Sequence, residues 1–144
     1  NKIHCQDLYF VLSEHYSMLN MLVLLHKYYP NIPFDISIDI NLPSYIELTG
    51  VGGWAYVNGG SRGIIVYRRS IDEFIAFDRH SPADPEGTCF LPLFPDENNF
   101  LVLKDTCNNA TFSLYDGSPM TNSEYGLRQY ATQFNGSNLL RIYN

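Results

Sequence analysis

From Phe34 the chain alternates: Phe34, Ile36, Ile38 and Ile40 fall at every second position, with Asp35, Ser37, Asp39 and Asn41 between them. A period of two places the apolar set on one side of an extended chain and the polar set on the other, which predicts a strand with one wet face. Pro43 ends it. Gly50-Val51-Gly52-Gly53 then turns into a short strand over Trp54 to Val57, and Asn58-Gly59-Gly60 is a hairpin signal. Ile64 to Arg68 and Glu73 to Asp78 read as two more strands, with Arg69-Ser70-Ile71-Asp72 turning between them. After a long Pro-containing loop come Phe100 to Lys104, Thr111 to Tyr115 running into Asp116-Gly117, Leu127 to Phe134, and Asn138 to Tyr143. Asn135-Gly136-Ser137 joins the last two. Short strands at this spacing, with turns between, predict an all-β sandwich or barrel. The eleven Tyr and nine Phe suit half-buried pleated surfaces.

Upstream the period is different. Leu8, Val11, Leu12, His15, Leu19, Leu22, Val23 and His26 recur at intervals of three and four, with no Gly or Pro inside and Pro30 as a stop. Phe10, Met18, Met21, Leu24 and Leu25 lie on the other faces, and a helix apolar over more than one stripe is expected to be buried on two sides. It packs on its own β domain or docks into a protein partner, for which Leu8, Val11, Leu12, Leu19, Leu22 and Val23 are the candidate contacts. His15 and His26 share a face but are too far apart along a helix to chelate one ion. The expected organisation is a helical extension over 1–33 and a β domain over 34–144. The longest unbroken apolar stretch, Met21 to Leu25, is far short of a membrane span. Membrane association is expected only indirectly or through an unseen lipid anchor.

A formal charge of −6 with nine Lys and Arg lacks the basic footprint that holds phosphates, so nucleic acid is not an expected partner. The glycine-rich stretches join strand to strand rather than strand to helix and are not phosphate cradles. Asp78-Arg79-His80-Ser81 sets an acid, a base and a hydroxyl side by side, but neighbours on a strand point to opposite faces and no nucleophile-elbow pattern accompanies them. The expectation is that the chain is not an enzyme.

Several pieces, taken in order, resemble the Rieske iron–sulfur domain family in the version of small Bacteroidetes envelope proteins. They are Gly63-Ile64-Ile65-Val66-Tyr67, Glu73-Phe74-Ile75-Ala76-Phe77-Asp78-Arg79, Ser81-Pro82-Ala83, Cys107-Asn108-Asn109-Ala110-Thr111-Phe112, Asp116-Gly117-Ser118-Pro119, and the tail from Leu127-Arg128-Gln129-Tyr130 to Leu140-Arg141-Ile142. The lead-in Asn31-Ile32-Pro33-Phe34-Asp35-Ile36 resembles that group too, and the helix lies outside the match. The resemblance implies an antiparallel β-sandwich of small sheets, with the N-terminal helix as an addition. It also implies a two-iron, two-sulfur cluster held by Cys-x-His on one loop and Cys-x-x-His on another.

Carried onto this chain, the ligand positions are Ser81, Ala83, Cys107 and Ala110, of which Cys107 alone could bind iron. The cluster is therefore expected to be lost, and no cofactor is expected. The resemblance further implies a Cys89–Cys107 disulfide as a clasp between the loops, in keeping with an oxidising envelope. The alternative is a redox or metal protein, holding a two-iron, two-sulfur cluster or zinc through non-standard ligands around His80, Cys89 and Cys107. A third reading makes the vacated pocket a small-ligand site lined by His80, Ser81, Phe112 and Tyr115. The leading expectation is a non-catalytic accessory or interaction subunit of the bacterial cell envelope, in the periplasm or at the outer membrane.

Overall fold

The computed structural model describes residues 33–144. The expected helix between Asp7 and Tyr29, and with it the candidate partner residues Leu8, Val11, Leu12, Leu19, Leu22 and Val23, lies outside the described residues. So does Cys5.

The described chain is all-β apart from one short helix. Its strands are β1 (Asp35–Asp39), β2 (Trp54–Val57), β3 (Ile64–Arg68), β4 (Phe74–Asp78), β5 (Phe94–Pro95), β6 (Val102–Asp105), β7 (Ala110–Ser113), β8 (Pro119–Thr121), β9 (Gln129–Phe134) and β10 (Leu139–Tyr143). A 3-10 helix over Pro43–Thr49 follows β1, with Pro43 in its first turn. The strands form one six-stranded sheet, in the order β1-β10-β9-β4-β3-β2, and one four-stranded sheet, β5-β6-β7-β8, antiparallel throughout. The expected all-β, antiparallel architecture holds over the described residues, with six of the ten strands in the larger sheet.

The β3–β4 hairpin explains how the sheets join. Every residue of both strands is buried, because the hairpin has a core on each side. Ile64, Val66, Phe74 and Ala76 face one cluster with Ile38, Ile40, Leu48, Ala55, Val57, Tyr130, Leu140 and Ile142. Ile65, Tyr67, Ile75 and Phe77 face the other with Leu93, Leu103, Ala110, Phe112, Leu114 and Leu127. The first cluster draws on both ends of the six-stranded sheet, so that sheet curls around its own core. The second lies between the hairpin and the four-stranded sheet. Strands buried on both faces read as continuous apolar runs rather than alternations, which is how Ile64-Ile65-Val66-Tyr67 and Phe74-Ile75-Ala76-Phe77 read.

The alternation in β1 has the predicted sense. Ile38 and Ile40 are buried and Phe34 and Ile36 pack on the first core, while Asp35 faces solvent and pairs with Arg141 at 2.7 Å. Arg68, at the end of β3, closes that core from below. Its guanidinium donates to the carbonyls of Leu48 and Thr49 at the end of the 3-10 helix and to those of Ser70 and Ile71, and it stacks on Phe74 and Phe134. A cation at a helix C-terminus meets outward-facing carbonyls and the negative end of the dipole. Among the described residues no buried side-chain nitrogen or oxygen lacks a hydrogen-bond partner.

Candidate functional site

The positions singled out by the sequence gather at one end of the β3–β4 hairpin, where Asp78 ends β4. Asp78 is fully buried. One carboxylate oxygen accepts the N–H of Ser61 at 2.6 Å and the hydroxyl of Tyr130 at 2.5 Å; the other accepts the N–H of Arg62 at 3.1 Å and of His80 at 2.9 Å. Three of these four donors are backbone amides, which cannot reverse their role, so the group they require is a carboxylate with its acceptor sites filled. Burial, followed by the bond to Asp78 and its charge, pushes the Tyr130 hydroxyl well above its ordinary pKa and keeps it a donor. Gly60 makes this approach feasible. It sits at φ +63°, and a Cβ there would overlap the Asp78 carboxylate and the Tyr130 hydroxyl.

The long loop after β4, residues 79–93, is pinned from three sides. His80 is buried; its Nδ1 lies 2.8 Å from Ser61 Oγ and its Nε2 lies 2.7 Å from the Asp84 carbonyl. A carbonyl only accepts, so with a neutral ring Nε2 carries the proton and Nδ1 accepts from the Ser61 hydroxyl. The Asp84 carboxylate takes the N–H and hydroxyl of Thr88 on one oxygen and the N–H of Cys89 on the other. Burial works against its charge, but these bonds outweigh burial and hold its pKa below the usual carboxylate value. Arg62 spans the loop by donating to the Cys89 carbonyl at 2.7 Å and the Gly87 carbonyl at 3.0 Å. Arg79 donates to the Leu93 carbonyl and lies over the ring of Tyr56.

The second loop, residues 106–109, joins β6 to β7 and is organised by one side chain. Buried Asp105 accepts the N–H groups of Cys107 and Asn108 on one oxygen and the Asn108 side-chain amide on the other. Cys107 is disulfide-bonded to Cys89, with Cα atoms 6.1 Å apart, so the two loops are covalently joined. Beside the bond, Phe90 is 86% and Leu91 63% exposed.

Of the four carried-over ligand positions, Ser81 is buried with its Oγ accepting the N–H of Ala83. Ala83 packs on the second core and Ala110 is part of it. Cys107 is occupied by the disulfide. His80 does not join the sulfurs: among the described residues the metal-type donors that converge are Cys89, Cys107 and Asp105, within 4.8 Å of one another. The Asp78-Arg79-His80-Ser81 run is not a triad either. His80 meets Ser61, which lies in the connection after Asn58-Gly59-Gly60 and carries no signal of its own along the chain. The N–H groups of Ser61 and Arg62, which would have to face a developing oxyanion, already donate to Asp78. The pair hydrogen-bonds the turn to the loop. For the small-ligand reading, Phe112 is buried and Tyr115 exposed. The cavity of about 480 Å³ lined by Trp54, Tyr56, Phe100 and Glu47, among others, includes none of His80, Ser81, Phe112 and Tyr115.

No protein-family model and no curated protein matches the chain. Among solved structures, it is similar to a chain from Mycobacterium tuberculosis described as the small subunit of an NADH-dependent nitrite reductase. The identity is 13% and the TM-score 0.44, over 79% of this chain and 97% of that one. A likeness of that size carries no argument about function.

Proposed function

We propose that the chain is a cluster-free, Rieske-like domain that works as a non-catalytic accessory or interaction protein of the bacterial cell envelope. The sequence resemblance supplies the family, and the all-β, two-sheet body is compatible with it. The observation that carries the reading is the state of the two loops. A two-iron, two-sulfur centre needs two thiolates and two imidazoles. The corresponding residues offer a hydroxyl bonded to the neighbouring Ala83 amide, two methyl groups packed on the core, and a sulfur already bonded to Cys89. These residues do not fit the cluster. The disulfide spans the loops that the cluster would otherwise bridge, and the Asp78 and Asp84 bonds keep the first of them in place. A covalent clasp of this kind suits an oxidising compartment such as the envelope. The apolar N-terminal segment, through Leu8, Val11, Leu12, Leu19, Leu22 and Val23, is the proposed contact with a protein partner.

Elemental analysis and a visible spectrum of protein purified without oxygen or added metal test the central point. Colourless, iron-free protein is the expected result. Two irons per chain with sulfur-to-iron charge-transfer bands would overturn the proposal and restore electron transfer as the function.

A further inference from the structure

The disulfide has a third partner. Asp105 brings a carboxylate oxygen within 4.8 Å of both sulfurs, and its Oδ1 accepts the Cys107 and Asn108 amides at 3.0 and 3.1 Å. The other oxygen accepts the Asn108 side-chain amide at 3.0 Å. We infer that reduction of the Cys89–Cys107 disulfide converts this clasp into a binding site for a zinc-class divalent cation, held by the two thiolates and Asp105. The inference does not depend on the proposed function, since it needs only these three donors.

The redox step is a dithiol exchange. A dithiol reductant attacks Sγ of Cys107, which is exposed where Cys89 is half-buried, and Cys89 leaves as a thiolate. The reductant's second thiol then closes its own disulfide and frees Cys107. Two electrons pass from reductant to protein, and the two thiol protons go to solvent when the cation binds. Two thiolates and a carboxylate match the ligand preference of zinc, with water completing a tetrahedron. The donor set carries three negative charges against the two positive charges of the ion. Arg62, bonded to the Cys89 carbonyl at 2.7 Å, lies next to that excess.

The donors stay near one another after reduction because neither loop depends on the disulfide alone. Cys89 is held through its N–H by Asp84 and through its carbonyl by Arg62, and Cys107 through its N–H by Asp105. A pair of cysteines with Cα atoms 6.1 Å apart needs only side-chain rotation to separate its sulfurs around an ion.

The full chain, reduced with a phosphine under anaerobic conditions and titrated with Co²⁺, reads the site directly. One equivalent should produce thiolate-to-cobalt charge transfer and the ligand-field bands of tetrahedral cobalt, all bleached by Zn²⁺, while the oxidised chain gives none. Cys107→Ser should abolish the charge-transfer signal of a two-thiolate site, and Cys5→Ser should leave it intact. Asp105→Asn should weaken binding by at least the roughly 10–100-fold that outer-sphere partners of a metal contribute. Absence of the thiolate band in reduced wild type overturns the inference, as does Cys107→Ser binding like wild type. A reduced chain that unfolds and is not refolded by Co²⁺ overturns it equally; metal-dependent refolding supports it.

Discussion

Asp78 is a single residue on which four donors converge from residues 61, 62, 80 and 130. Removing a buried acceptor leaves its donors without partners, which costs more than the bonds contribute net. Asp78→Ala should therefore destabilise by at least about 3 kcal/mol in urea unfolding. Asp78→Asn should do nearly as badly despite its matching size, because either orientation of the amide turns an NH₂ against a backbone N–H. Tyr130→Phe removes one bond to a charged acceptor and should cost roughly 2 kcal/mol. It should also change the alkaline limb. The Tyr130 pKa is raised on folding, so its contribution is complete below the unfolded value of 10.0 and is lost as pH rises from there through the folded value. Stability measured between pH 9 and 11 should fall more gently in Tyr130→Phe than in wild type. Asp84 has the opposite sign. Its lowered pKa gives stability that is present above the unfolded value of 3.8 and lost as pH falls through the folded one. Asp84→Asn should flatten that acid limb. None of this convergence was legible along the chain. The alternation of β1 announces itself within seven residues, whereas the Tyr130 to Asp78 bond spans 52.

Among the elements, those with their own periodicity were read correctly and those made by pairing were not. β1, β2, β3, β4, β6, β7, β9 and β10 fall where apolar residues or turn signals put them, within a few residues. β5 is only Phe94–Pro95, inside what reads as a Pro-containing loop, and it becomes a strand because β6 offers it partners at Lys104 and Leu103. β8 opens on Pro119 and is exposed along its length, with a register shift against β7 at Thr111/Phe112. Proline is tolerated at such an edge position, where no ladder donor is missed. The Asn58-Gly59-Gly60 signal does close a hairpin, but the connection runs from 58 to 63 and is shaped around Asp78 rather than as a two-residue turn. The loops belong to this scale as well. Opening the Cys89–Cys107 bond, which closes a span of 18 residues, should cost about 3 kcal/mol on a chain-entropy account. Cys89→Ser, compared with wild type in the absence of reductant and metal, measures it.

At the scale of the whole molecule, the β3–β4 hairpin is a wall common to two cores. Phe77 on its second face is fully buried, and Gly117 at φ +79° leaves room for its ring. Phe77→Ala should cost about 3–5 kcal/mol, and because the wall is common the two sheets should unfold together, with coincident transitions in fluorescence and circular dichroism. A chain beginning at residue 33 should keep that cooperative transition, since among the described residues both cores draw on positions from 34 to 142. Its thermal midpoint against the full chain then reads how much the N-terminal segment contributes to this body. A large loss would assign the segment to its own domain and count against a role in docking.

Periodicity is a local property, because side-chain direction repeats every two residues in a strand. The sequence by itself therefore determined the all-β class, the change of period at Phe34 and most of the strands. Convergence is a property of the folded chain, and only the tertiary structure decided it. Glycine at position 60 lets a turn close on Asp78. His80 turns to Ser61 rather than to a sulfur. Asp105, unremarkable in its own strand, arrives beside both cysteines because the register of β6 with β7 places it opposite Ala110.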